Sequence, residues 1–183
     1  MRFKKLHLVL LDFFDHKVLY PVRAVLESEL NIQTALLKWE TLTGSSPSEF
    51  RNGSRYRSTE MINFFSENLH DGIEKILFLT TDDLYSPVFA SYFGEAQFNG
   101  RVGIVSTYLL RENLDNDLSS DMIFLSRFEK VAVHEGGHLF GLKHCKDINC
   151  VMKLSGRTGD LDMKSPGFCV VCTEVLINST LAD

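Results

Sequence analysis

The sequence predicts an α/β fold. It is read as a compact single domain with a mixed, twisted sheet, supporting helices, one long helix and a turn-rich closing segment. Three observations lead there. Strand-length apolar runs alternate with helical periodicity, the pattern of layered α/β proteins. The 183 residues are enough to bury a core without disulfide staples. All four cysteines fall after Lys143, where turn residues are frequent.

The elements follow in chain order. "KLHLVLLDF", Lys5 to Phe13, is apolar and of strand length. The basic-then-apolar start has the look of an export signal. Asp12 interrupts it and no small-residue cleavage site follows, so it is read as a first buried strand. Leu19, Val22, Val25, Leu26 and Leu30 then recur at helical spacing. Pro21 suits only a first turn, which places that helix start near Leu19 or Tyr20. Ile32 to Trp39 is the second strand, and Thr43 to Ser48 a loop by composition. The basic stretch Arg51 to Arg57 is read as a solvated loop. Tyr56 to Leu69 is a helix with Met61, Phe64, Phe65 and Leu69 on one face. Lys75 to Leu84 is the third strand. Asn99 to Thr107 is the fourth, opened by an Asn-Gly turn. Ser119 to Leu142 is the long helix. The domain 1–183 thus divides into sheet and supporting helices (1–118), long helix (119–142) and closing segment (143–183).

Composition narrows the function. The formal charge of −5 gives no basic excess for a phosphate backbone, so no nucleic-acid partner is expected. No apolar run reaches membrane-spanning length, so no membrane is expected. The chain is expected in the cytoplasm, where clustered cysteines are thiols and more often hold metal than pair. A monomer is expected, and no pro-segment controlling activity by its removal.

The long helix carries the chemistry. In "VAVHEGGHLFGLKHC", Val131 to Cys145, His134 and His138 are four apart and share one helical face. Glu135 lies one step round, where it can touch a metal-bound water. Gly141 marks a helix stop through positive φ, after which His144 can return as a third nitrogen. Three protein ligands leave one position open, as a catalytic zinc requires. Gly136 and Gly137 each cost a helix about 1 kcal/mol against Ala. Close approach of backbone or substrate and simple tolerance are both open explanations. His7, His16 and His70 are read as ordinary histidines. Cys145 with Cys150, and Cys169 with Cys172, form two pairs that suit a four-thiolate structural zinc. A redox role for "CVVC" is disfavoured, because turn residues stand where a strand should precede it.

His134, Glu135, His138, Gly141 and His144 resemble the metzincin zinc proteases, and Met152 stands where their Met-turn falls. Cys145 directly after His144, the Cys150-Val151-Met152 triplet and the later cysteine pair resemble the archaemetzincins in particular. The gap from Met152 to Cys169 is one residue shorter than that pattern. A local deletion in the loop "KLSGRTGDLDMKSPGF" accounts for it.

The resemblance implies a zinc-dependent peptidase with Glu135 as general base. It implies two Zn²⁺ per chain, one catalytic and one structural, and a peptide or protein substrate. Tyr92 and Tyr108 are candidates for a second oxyanion donor. Asn99–Thr107 is taken as the substrate-binding edge strand, with an ordinary core strand as the alternative. Two other functions share these residues: a non-catalytic, zinc-stabilised peptide-binding module, and a hydrolase of a non-peptide amide.

Overall fold

A computed structural model describes residues 4–42, 46–88, 90–115 and 117–181. Its strands and helices, in order, are β1 (Lys5–Leu10), α1 (His16–Leu30), β2 (Gln33–Leu36), β3 (Arg51–Asn52), β4 (Arg55–Arg57), α2 (Ser58–Asn68), β5 (Lys75–Thr80), β6 (Asp83–Tyr85), β7 (Gly94–Ala96), β8 (Val102–Ser106), α3 (Leu118–Leu139), α4 (Thr158–Met163) and α5 (Val170–Leu181). The main sheet runs β2-β1-β5-β8-β7. Its first four strands are parallel, and β7 is antiparallel to β8. The fold is the expected α/β class with a mixed sheet.

Alternation along the strands sends side chains to two cores. Leu6, Leu8, Leu77, Leu79 and Val105 face one way, among residues of α1 and α3. Val9, Ile76, Phe78, Val102 and Ile104 join the other cluster, with Met61, Ile62 and Phe65 of α2. Trp39 and Phe50 complete that second core; the Trp39 and Phe65 ring centroids are 5.2 Å apart. Both faces of the sheet are thus covered, as its continuous apolar strands require.

Several elements differ from the sequence reading. The first helix begins at His16, not near Leu19, with Pro21 inside it. Asp15 caps it by accepting from the Lys17 amide at 2.9 Å. The bond that Pro21 cannot donate would have gone to the carbonyl of exposed Lys17, where water can replace it. The predicted strand Lys75–Leu84 is two strands, β5 and β6. Arg51 to Arg57 is no solvated loop: it builds a second sheet, β3-β4-β6. Its arginines meet acids, Arg55 with Asp83 at 2.9 Å and Arg57 with Glu60 at 2.8 Å, and Arg51 pairs with Asp82. In the predicted loop Thr43–Ser48, residues 43–45 lie outside the described residues, and Pro47–Phe50 forms a 3₁₀ turn. The stretch read as loop before Cys169 contains α4.

One correction bears on function. β8, within the predicted edge strand Asn99–Thr107, is an interior strand paired to both β5 and β7, and all five of its residues are buried. The edge on this side of the sheet is β7, and the other edge is β2. The Asn-Gly turn is present: Asn99 has φ of 48° and joins β7 to β8.

Candidate active site

Helix α3 starts on Asp117, whose carboxylate accepts from the Ser120 amide at 2.8 Å. Its residues from Lys130 to Gly137 are all buried. The helix ends where the glycine predicts. Gly141 has φ of +90°, the Gly141 amide donates to His138 O at 3.0 Å, and the Leu142 amide donates to Gly137 O at 2.9 Å. That pair of bonds is a Schellman stop, which turns the chain back along its own path. The Asn99 amide also donates to His138 O, at 2.8 Å, docking the β7–β8 turn on the helix end.

The reversal brings His144 to His134 and His138. Nε2 of His138 lies 3.1 Å from Nε2 of His134 and 3.2 Å from Nε2 of His144. The Nδ1 atoms are engaged elsewhere: His134 Nδ1–H donates to Val151 O and His138 Nδ1–H to Leu142 O, each at 2.8 Å. Both Nε2 atoms of that pair therefore carry lone pairs, and lone pairs so close need a cation between them. Zinc with nitrogens at about 2.0–2.1 Å in a tetrahedron sets them about 3.3 Å apart, so the residues fit the metal. The carbonyl partners are the outer bonds that fix a ligating imidazole. Desolvation lowers the pKa of all three imidazoles, that of His134 to about 3, which favours the neutral, ligating form.

The sulfurs converge in the same way. Cys145 Sγ is 3.8 Å from Cys169 Sγ, and Cys150 Sγ is 3.7 Å from Cys172 Sγ. A disulfide would need about 2.05 Å. Four thiolates about 2.3 Å from one zinc stand about 3.8 Å apart, which this cluster matches. The Cys145 amide donates to Met152 O at 2.9 Å, so the backbone of the thiol cluster is tied to Met152.

Gly136 and Gly137 are explained by close approach of side chains. A Cβ on Gly136 would lie 2.8 Å from Leu30 Cδ1 of α1, and one on Gly137 2.6 Å from Met152 Sδ. Met152 is fully buried beneath the helix turn that carries both histidines. His7, on β1, and the exposed His16 and His70 stand apart from both clusters.

A cleft of about 840 Å³ opens over the imidazoles. β7 and the residues before it form one wall, and Leu154, Ser155, Gly156, Leu161 and Lys164 the other. Glu135 lines it and is 6% exposed. Burial, and then the Glu95 carboxylate, push its carboxyl up to about 8, while Lys164 pulls it down. A divalent cation at the three imidazoles would add to the pull of Lys164 and favour the carboxylate.

Three cleft residues have no signal in the sequence. Gly94 lies against the Glu135 side chain. Glu95 accepts from Ser58 Oγ and Tyr92 OH, each at 2.7 Å, and from Thr59 Oγ1 at 3.0 Å. Lys164 is 4% exposed and lowered to about 8, chiefly by burial. Each is an ordinary residue in an unpatterned stretch. Of the two tyrosines, Tyr92 lines the cleft. Tyr108 does not: it lines a separate hollow with Phe13, Thr81 and Arg111, and is excluded as an oxyanion donor.

Comparison with known proteins agrees with this geometry. Residues 55–178 match the model of peptidase family M54. The archaemetzincin of Methanopyrus kandleri is 45% identical over 103 residues, 56% of this chain and 55% of that protein. That of Haloquadratum walsbyi is 37% identical over 126 residues, 67% of this chain and 72% of that protein. The aligned segment thus spans about half the length of the first relative and more of the second. By structure, the M. kandleri archaemetzincin aligns with a TM-score of 0.79 at 29% identity, covering 97% of this chain and 95% of that one. The Archaeoglobus fulgidus archaemetzincin, crystallised with malonate, gives 0.75 at 27% identity, covering 94% and 99%. A family match over most of the chain, relatives of this similarity and two superposable folds lead to one conclusion: this chain belongs to the archaemetzincins, peptidase family M54.

Proposed function

We propose that this chain is a zinc-dependent peptidase in which Glu135 is the general base. The observation that carries the reading is the convergence of His134, His138 and His144 on one point of an open cleft, with Glu135 beside them. Held there, zinc supplies Lewis acidity, lowering the pKa of water to about 7 and polarising the scissile carbonyl. Glu135 takes the proton of the attacking water and passes it to the leaving amine. His134 and His138 are oriented by the Val151 and Leu142 carbonyls. The peptide lies along β7, whose outer edge pairs with no strand among the described residues and is free for main-chain hydrogen bonds. That placement is supported by β7 forming a cleft wall and pairing on one side with β8.

The same reading gives the chain two zinc ions, the second held by Cys145, Cys150, Cys169 and Cys172. It also gives a reducing, cytoplasmic setting, supported by cysteines arranged as thiols.

Glu135→Gln tests the mechanism. Glutamine keeps the shape and leaves the three imidazoles untouched, so folding and zinc content should be normal. An amide cannot take the proton, so cleavage of a peptide library should fall by about 10²–10⁴-fold. Equal cleavage by mutant and wild type would move the activity to another site. No cleavage of any peptide by zinc-loaded wild type would leave the peptide-binding module.

A further inference from the structure

Lys164 follows α4 and is among the most buried charged residues of the chain, at 4% exposure. It nevertheless lines the cleft, together with His134, Glu135 and Leu161. Its ammonium donates to two neutral groups, Val151 O at 2.7 Å and Lys153 O at 2.8 Å. An ammonium has three donors, so one remains. Among the described residues no carboxylate comes within ion-pair distance of it. Arg127 shows the alternative: equally buried, it meets both oxygens of Asp162, at 2.8 and 2.7 Å, and does not line the cleft. The hydrogen bonds of Lys164 go to neutral groups only, and the Glu135 and Asp160 carboxylates act on it from beyond ion-pair distance. A cation so placed is costly to bury, and that cost falls when an anion arrives.

We propose that Lys164 recognises a carboxylate of the substrate, so that the cleft prefers peptides with an acidic side chain, or a free C-terminus, beside the scissile bond. The proposal rests on the peptidase reading above. Val131 and Leu161, 3% and 1% exposed, line the same cleft and give it apolar surface there. A charge pair formed there is screened far less than one at the surface. The two carbonyls already hold the ammonium in place, so little side-chain freedom is lost on binding. Glu135 is unsuited as the standing partner, because its carboxylate serves the attacking water.

The test uses matched peptides: Glu against Gln at each position flanking the cleaved bond, and a free against an amidated C-terminus. Affinity is measured by calorimetry on zinc-loaded Glu135→Gln protein, where binding is read whether or not the wild type cleaves. The acidic member of a pair should bind at least about tenfold more tightly, the lower end of coupling for close charge pairs. Lys164→Met should bring the two within about twofold, and Lys164→Arg should restore part of the difference. The set that shows the preference identifies its source, side chain or terminus. Equal affinities in every pair overturn the proposal before any Lys164 variant is made. A Lys164→Met variant that weakens both members equally also overturns it, and leaves the lysine only holding Val151. A preserved acidic preference without cleavage by wild type would sink the peptidase reading and leave this one standing.

Discussion

Gly94 stands so close to Glu135, the proposed general base, that its missing side chain is a structural requirement. A Cβ there would lie 2.7 Å from Glu135 Cγ and 2.9 Å from Oε1. Those atoms are enclosed, so Gly94→Ala must turn the carboxylate away from its task. A misplacement of about 1 Å can cost on the order of 10²-fold in rate. The expected result is a fall of about that size in peptide cleavage, with zinc content by elemental analysis unchanged. Full activity in Gly94→Ala would mean that β7 does not hold Glu135. The contrast with the histidines shows what a sequence can reveal. His134 and His138 are legible because helical spacing alone puts them on one face, and Gly141 because few residues accept its φ. Gly94, Glu95 and Lys164 reach the cleft through the tertiary path of the chain, which leaves no mark on local spacing.

The closing segment is held to the rest by burial of Val151, Met152, Leu161 and Leu176 in the first core, by a few polar ties and by the cysteine cluster. Arg127 clamps Asp162 and Lys130 donates to Leu161 O at 2.9 Å, while Lys164 spans Val151 and Lys153 within the segment. Cys150 and Cys172 are buried within the first core, at 1% and 7% exposure. In the proposed four-thiolate zinc site, removing one thiolate breaks a shell whose binding energy is folding energy. Cys169→Ser should therefore melt at a lower temperature and be nicked faster by protease after Met152, with activity falling through a misplaced His144. An unchanged melting curve would remove the bracing role. At this scale the sequence was least informative where elements are short. β7 has three residues and α4 six, too few for periodicity to emerge. The longer α1, α2 and α3 were legible to within a turn or so, Pro21 misleading at one end only.

For the molecule as a whole, the two ligand sets differ in access, and that difference can be measured. The histidine set faces an open cleft and includes the exposed His144, whereas two of the thiols are buried. Elemental analysis after gel filtration should give two zinc ions per chain. A mild chelator should take the first with little change in melting, and loss of the second should lower the melting temperature. A value near one, with four titratable thiols, would strike out the cysteine site. The order of the sheet, with β1 between β2 and β5, lay outside what composition and spacing reveal, since it is set by which helices cover which face. The position of the ligands along the chain has one more consequence, in time. All seven lie between His134 and Cys172, after the last strand of the main sheet. Synthesis proceeds from the N-terminus at about 5–20 residues per second. The sheet strands therefore leave the ribosome before any proposed ligand does, and capture of the proposed metals would wait on the final third. The rings it would then close are short, with Cys145 and Cys169 24 positions apart and Cys150 and Cys172 22, so closing them costs somewhat less entropy than closing longer rings. A cell short of zinc would accumulate chains with a finished sheet and an unsecured tail, the form most open to proteolysis.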